Sequence, residues 1–258
     1  MTPSAKRGRR VDERVGLRAL LALAGVLLAA AILAVLVVFA RSKTGAVHDL
    51  DFDTADDLNR YLTSHHGQVG MWKAITVAGG PTTWRVLAVI TVIALSVRRR
   101  WRLAGVVAVT MAGAAVLSGV TKLLVHRARP VVTVPVERVG GGSFPSGHAL
   151  TSVVAVGLTL VLLLPVIGRR WRLLLASAGV VVVAAVGFSR LILGVHYVTD
   201  VLGGWLIGVL WLAAVVTIFR AYRRRPAARA AIVDLRRAVT TRWWTSTTLI
   251  GALEIADG

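Results

Sequence analysis

The stretch Ser189 to Asp200, Ser-Arg-Leu-Ile-Leu-Gly-Val-His-Tyr-Val-Thr-Asp, places an arginine, a histidine and an aspartate between two long apolar segments. Ionisable groups are costly in a bilayer, so their placement there needs a chemical reason. His196 and Asp200 are four residues apart and share a face if the segment is helical, which lets the carboxylate orient the imidazole. Arg190 supplies a planar donor fork suited to phosphate. Two further polar islands are expected at the same end of a helical bundle: Lys122 with Arg129-Pro130, and Pro145-Ser146-Gly147-His148.

Together these residue types fit phosphoryl transfer. Three cations, Lys122, Arg129 and Arg190, can surround one dianion, with arginine binding in bidentate fashion and lysine as a point charge. Ser146 and Gly147 precede an expected helix start, where free N–H groups and the dipole favour an anion. Ser146 also reads as a plain N-cap. Gly147 lets backbone approach a ligand closely. His196, oriented by Asp200, can attack phosphorus and form a phosphohistidine. His148 can protonate the leaving oxygen and then activate water. The cations neutralise the charge that magnesium handles in other phosphoryl-transfer sites, so no metal is required.

The elements that must position these groups are apolar helices. Of 258 residues 56% are hydrophobic, and the mean hydropathy is +0.72. Soluble domains average about 45–50% apolar, and here the excess lies in long runs. The formal charge is +19. The basic residues sit in short clusters between the runs, which points to topology signals and anionic lipid headgroups rather than nucleic acid. The absence of cysteine excludes disulfides, thiolate catalysis and cysteine-ligated zinc.

Residues 1–16 read as a basic cytoplasmic tail. Spans are expected at 17–40, 82–97, 103–125, 148–167, 173–193 and 198–219. The second is short unless Met71 to Ala78 contributes. The first is longer than a signal peptide's apolar region and reads as retained. Basic clusters at the start, at 98–102, at 169–172 and at 220–225 alternate with the other loops. The positive-inside rule then gives an all-α, six-helix bundle over 17–225 with both termini cytoplasmic. The acid-rich segment 41–80 reads as a surface helix, with Thr54 and Asp57 as its capping box and Phe52, Leu58, Tyr61 and Leu62 as its apolar side. Gly140-Gly141-Gly142 reads as flexible loop. His48, His65 and His66 read as solvated, and His126 as structural. Residues 226–258 read as a cytoplasmic tail, with Ile232, Leu235, Val239 and Trp243 suiting a helix on the inner leaflet.

Lys122-x6-Arg129-Pro130, Pro145-Ser146-Gly147-His148 and Ser189-Arg190-x5-His196-x3-Asp200 resemble the three signatures of the type 2 phosphatidic acid phosphatase superfamily, which includes vanadium haloperoxidases. Order, spacing and residue types match over roughly Thr82 to Arg220. The resemblance implies a six-helix lipid phosphatase of a bacterial-type cell membrane, with its site on the extracytoplasmic side. It implies His196 as nucleophile, Asp200 as its partner and His148 as acid/base. Lys122, Arg129, Ser146, Gly147 and Arg190 would bind phosphate, with no cofactor and no divalent metal. Phosphatidic acid, phosphatidylglycerol phosphate and polyprenyl diphosphate are the substrates it brings into view. Tyr197 and Gly203-Gly204-Trp205 also resemble bacterial members, the glycines reading as close helix contact. Two rival classes are a vanadate-binding haloperoxidase-like site, whose known relatives are soluble, and a non-enzymatic transporter or scaffold, which has no need of two histidines with three cations.

Overall fold

The computed structural model describes Gly25, Leu28 and residues 30–42, 44–132, 136–137 and 139–223. The expected tail at 1–16, most of the first half of the first span and the expected inner-leaflet helix at 226–258 lie outside the described residues. The chain divides into two compact units, Met1–Ala213 and Ala214–Gly258.

Among the described residues all regular structure is helical. The described part of the first helix, α1, is Ala30–Arg41. It is followed by α2 (Ala46–Ser64), a short 3-10 turn (His66–Gln68), α3 (Val69–Ala78), α4 (Pro81–Val97), α5 (Trp101–Val125), α6 (Gly147–Leu163), α7 (Arg169–Ile192) and α8 (Val198–Arg223). Proline opens α4, where its missing N–H costs nothing. Residue His126, in the left-handed conformation at φ 50°, closes α5 by donating its N–H to the Lys122 carbonyl, which is the structural role expected of it.

Among the described residues four stretches are long and apolar enough to cross a bilayer: His66–Val97, Trp101–Val125, Arg169–Ile192 and Val198–Arg220. Residues 71–78 do extend the second expected span. The pair Ala30–Arg41 and Ala46–Ser64, bent by 70°, passes the same test together and makes a fifth. Helix α6 has only 17 residues, about 26 Å at 1.5 Å per residue, against a hydrocarbon core of about 30 Å. The expected six spans thus stand at four or five by length and composition. The protein is an integral membrane protein: its long apolar helices carry Val86, Ile90 and Ile93 on α4 and Val180 and Val181 on α7, all more than half exposed, a surface suited to lipid.

The helices of the first unit meet through small residues and one central cluster. Val107, Met111 and Ala114 of α5 pack against Leu150, Val154, Ala155 and Leu158 of α6 and Ile207 of α8. Trp211 of α8 donates its indole N–H to the Thr110 carbonyl at 2.8 Å. The α6–α8 approach is close at the site end. A Cβ on Gly204 would stand 2.7 Å from the Ser146 carbonyl oxygen and 3.1 Å from the Leu150 nitrogen, so only glycine allows it. A second cluster joins Leu62 of α2 to Ile192, Leu193 and Val195 at the α7–α8 turn, with Leu58 and Val69 packed against it.

One expectation about α2 is corrected. The helix begins at Ala46, so Thr54 lies in its interior and caps nothing. Leu62 is buried as expected, but Phe52 and Tyr61 are exposed, and the polar Asp51 and Asn59 are buried. His65 and His66 are exposed, whereas His48 is partly buried with its Nδ1 enclosed.

Replacing Gly204 by valine forces branched carbons against the α6 backbone. The expected loss is about 1–3 kcal/mol, seen as a lower thermal-denaturation midpoint in detergent. An unchanged midpoint would show that α6 and α8 can separate here at no cost.

Candidate active site

The site is built on the α7–α8 turn. Arg190 lies in the last turn of α7, and Gly194, at φ 68°, reverses the chain. His196 and Tyr197 follow, and α8 starts at Val198 with Asp200 in its first turn. The Tyr197 backbone N–H donates to Asp200 Oδ2 at 2.9 Å, so the carboxylate caps the helix that carries it. The same oxygen lies 3.3 Å from His196 Nδ1. On its other side the imidazole Nε2 lies 3.3 Å from an Arg129 guanidinium nitrogen. Arginine can only donate, so this network assigns Nε2 as the acceptor and places the ring proton on Nδ1, toward Asp200.

His196 is 2% exposed. Burial lowers its pKa to about 4. Asp200 opposes that shift, and the nearby cations Arg129 and Arg190 reinforce it. The ring is therefore neutral throughout the physiological range, with a lone pair at Nε2. Tyr197 beside it is pushed up to about 12 by burial, against the pull of Arg127.

The segment after α5 brings the cations. Lys122 Nζ donates to the Gly142 carbonyl at 2.6 Å. Arg129 donates to the carbonyls of Val195 (2.8 Å), Gly141 (3.1 Å), Gly140 (3.2 Å) and Gly142 (3.3 Å). The three glycines, expected to be mere flexible loop, thus present an arc of carbonyl oxygens to both cations. Burial, and then the charge of Arg190, hold Arg129 below its ordinary pKa.

The start of α6 brings the third island. Ser146 is an N-cap: its Oγ accepts the Ala149 N–H at 3.5 Å. Its own N–H donates to the Asp200 carbonyl oxygen at 2.9 Å, which ties α6 to α8. Gly147 opens the helix, and His148 follows with its ring against the α3–α4 break; a Cβ on Gly80 would lie 3.1 Å from His148 Nε2. His148 is within electrostatic range of Arg190, His196, Arg129 and Lys122. Lys122 is in turn within range of Arg129, Asp200 and Arg190. The structure therefore gathers all eight residues singled out in the sequence, Lys122, Arg129, Ser146, Gly147, His148, Arg190, His196 and Asp200, around one place.

Arg190 is only 1% exposed, and its fork is occupied. It donates to Thr76 Oγ1 at 2.6 Å and spans both oxygens of Glu137, at 3.1 and 3.2 Å. Its Nε is buried with no partner among the described residues. A carboxylate held bidentate in this way is a stand-in for two oxygens of a phosphate.

Reading the sequence missed four participants: Asp51, Arg127, Glu137 and Thr199. Arg127 is buried and ion-paired at 2.8 Å to both Asp51 Oδ2 and Asp200 Oδ1. It also donates to Thr199 Oγ1 at 2.6 Å, and its guanidinium carbon stands 4.1 Å from the centre of the Tyr197 ring. A second arginine two residues before the first signature's Arg129-Pro130 was the visible signal for Arg127. An aspartate in an acid-rich surface helix carries no such signal.

Comparison with known proteins gives the same direction. Residues 103–225 match the PAP2 superfamily. Phosphatidylglycerophosphatase B of Bacillus subtilis is 39% identical over 97 residues, which is 36% of this chain and 47% of that protein. Decaprenylphosphoryl-5-phosphoribose phosphatase of Mycobacterium tuberculosis is 40% identical over 129 residues, 48% of this chain and 65% of the relative. Undecaprenyl-diphosphatase of Sulfolobus acidocaldarius is 42% identical over 67 residues, 26% of this chain and 28% of the relative. The chain thus covers less than two thirds of the length of each of these relatives. The crystal structure of a transmembrane PAP2-type phosphatidylglycerolphosphate phosphatase from Bacillus subtilis superposes with a TM-score of 0.67 at 23% identity, covering 77% of this chain and 98% of that one, which shows a shared fold.

Because Glu137 fills the Arg190 fork, any anion entering there must displace it. Glu137→Gln is expected to tighten binding of inorganic phosphate to the purified protein by about threefold to tenfold, roughly 0.7–1.4 kcal/mol, measured by calorimetry. Equal affinity in the two proteins would mean that the carboxylate does not compete.

Proposed function

From the match of residues 103–225 to the PAP2 superfamily, we propose that this protein is a lipid phosphate phosphatase. It hydrolyses a phosphomonoester or diphosphate of a membrane lipid without a divalent metal. The observation that carries the reading is His196, its Nδ1 proton turned to Asp200 and its Nε2 lone pair turned to the Arg129 guanidinium.

The chemistry proceeds in two displacements. The substrate phosphoryl group replaces Glu137 and the glycine carbonyls on Arg190, Arg129 and Lys122, and also meets the free N–H groups at the start of α6. His196 Nε2 attacks phosphorus as the bond from phosphorus to the lipid oxygen breaks. His148 gives that oxygen its proton, releasing a lipid alcohol, or a lipid phosphate if the substrate is a diphosphate. The positive charge on the phosphorylated ring is stabilised by Asp200 through Nδ1–H. In the second displacement His148 takes a proton from water, the water oxygen attacks phosphorus, the P–N bond breaks and inorganic phosphate leaves. The three cations stabilise the charge on the equatorial oxygens in both steps.

The basic clusters support an outward-facing site. The basic clusters at 98–102 and 169–172 precede α5 and α7. Lys122 and Arg190 lie at the opposite ends of those helices. With the clusters on the cytoplasmic side, the site opens at the outer leaflet. Six spans over residues 17–225, with both termini inside, remain the arrangement that satisfies every basic cluster. The lipid tail would reach the site laterally between helices. The curated relatives named above act, by their names, on a phosphatidylglycerol phosphate, a decaprenylphosphoryl phosphoribose and an undecaprenyl diphosphate. A lipid bearing a terminal phosphate is common to all three, and that is the substrate class assigned here.

Purified protein assayed with phosphatidic acid, phosphatidylglycerol phosphate and a polyprenyl diphosphate is expected to release phosphate from at least one of them, equally with and without EDTA. His196→Ala should abolish release. Asp200→Asn should lower turnover by about 10² to 10⁴, by analogy with other carboxylate–histidine pairs. Release by His196→Ala at the parental rate, or loss of release in EDTA, overturns the mechanism.

The depressed pKa of His196 has a further consequence. The nucleophile is the neutral ring, which persists as pH falls until about 4 and is lost below that. The His196 ¹⁵N resonances in the free protein should therefore titrate near pH 4. Titration near the ordinary 6.5 would mean that the ring is not enclosed as described.

A further inference from the structure

Arg127 and Asp51 stand outside the proposed chemistry, yet nearly all of their side-chain surface is buried against it. Asp51 is 1% exposed and comes from α2, which precedes the 103–225 segment matched by the family. Its Oδ1 accepts the Thr199 backbone N–H at 3.1 Å, and its Oδ2 accepts both the Thr199 hydroxyl, at 2.5 Å, and Arg127, at 2.8 Å. Arg127 then reaches Asp200 Oδ1 at 2.8 Å. Ser143 Oγ stands at 3.5 Å from that same oxygen. Oδ1 is therefore fully engaged by groups other than His196, and only Oδ2 is left to receive the imidazole N–H.

We propose that Arg127, anchored by Asp51, is a positioning residue that fixes the Asp200 carboxylate and through it the orientation and tautomer of His196. The inference deepens the phosphatase reading and rests on it. A carboxylate free to rotate can offer either oxygen, or neither, to Nδ1. Clamping Oδ1 by a guanidinium whose own plane is held over Tyr197 removes that freedom. The clamp makes α2 part of the active site. Leu62 seats its far end against the α7–α8 turn, and Asp51 both holds Arg127 and caps the first turn of α8 beside Thr199.

The clamp also acts electrostatically. The charged and titratable groups facing His196 and Asp200 are Lys122 and Arg127 with Arg129 from the end of α5 and its loop, His148 from α6, Arg190 from α7, Tyr197 from the turn and Asp51 from α2. Arg127 shares the Asp200 carboxylate with His196. Removing its charge leaves that carboxylate to attract the imidazolium more strongly, so His196 should gain a proton at higher pH.

The test uses full-length protein in detergent or vesicles, with Arg127→Gln, Arg127→Lys, Asp51→Asn and the Arg127→Gln/Asp51→Asn pair. For Arg127→Gln the expected result is a fall in kcat of at least about tenfold with KM for the lipid phosphate within about twofold, since Arg127 does not touch substrate. The His196 ¹⁵N titration should move up by about one pH unit, a tenfold change in proton affinity. Arg127→Lys, which restores the charge but not the fork, should return the titration and leave kcat depressed. Asp51→Asn should lower kcat in the parental protein and add nothing to Arg127→Gln, because it acts through the same clamp. A raised KM at unchanged kcat would make Arg127 a phosphate ligand and overturn the proposal. So would a loss of activity matched by loss of folded protein with the His196 titration unmoved. If the parental protein hydrolyses no lipid phosphate, the phosphatase reading fails. The ¹⁵N titration of the variants still decides whether Arg127 and Asp51 position His196.

Discussion

A carboxylate with no exposed surface governs this molecule. Asp200 is 0% exposed, and an isolated charge so placed is costly. It stays ionised because every lone pair it offers is used. Oδ2 takes the Tyr197 N–H and faces His196, while Oδ1 takes Arg127 and lies within reach of Ser143. Those partners come from three segments: the α7–α8 turn, the chain just after α5 and the loop before α6. Supplying them brings the end of α5, the loop before α6 and the α7–α8 turn to the first turn of α8, and Asp51 of α2 joins them by holding Arg127 and Thr199. Even the backbone of residue 200 is recruited, since its carbonyl accepts the Ser146 N–H and so sets where α6 begins.

A second constraint follows from gathering cations. Lys122, Arg129 and Arg190 cannot stand together empty-handed in a half-buried place. The loop between α5 and α6 answers this with oxygen: the carbonyls of Gly140, Gly141 and Gly142 for Lys122 and Arg129, and the Glu137 carboxylate for Arg190. Glycine suits this use because the backbone must come close to the side chains it serves. The 77° φ of Gly141 needs a residue without a Cβ. The resting protein thus holds a model of the anion it is proposed to bind, made from its own chain.

Legibility in the sequence followed sequence distance and residue type. Apolar runs and basic clusters mark helices plainly, because the bilayer imposes both length and composition. The eight site residues carried short, chemically specific spacings, and the structure gathers them. What escaped depends on three-dimensional pairing. Asp51 sits among five closely spaced aspartates, Asp49, Asp51, Asp53, Asp56 and Asp57, and only the docking of α2 by Leu62 decides which of them is buried. Thr54 looked like a cap because its local pattern fits one, but helical structure had already begun at Ala46. Glycines 140–142 looked featureless because a carbonyl has no side-chain signature. The fourth expected span is shorter than its apolar run, because α6 stops at Leu163, just ahead of Pro165.

These two constraints act on each other. The oxygens that quiet the cations are carried by the α5–α6 loop, whereas the Tyr197 N–H and His196 that face Asp200 Oδ2 are carried by the α7–α8 turn. Exchange of a bound anion for Glu137 and the glycine carbonyls leaves the Oδ2 contacts of Asp200 to His196 and the Tyr197 N–H in place, since both come from the α7–α8 turn. The exchange also discriminates by charge. The carbonyls carry none and Glu137 only one, so a monoanion arriving at Arg190 gains little over the carboxylate it displaces. A terminal phosphate near neutral pH carries about −1.5 to −2 and engages all three cations at once. On the proposed reading, selection for a terminal phosphate therefore resides in the loop, and readiness for attack resides in the clamp on Asp200.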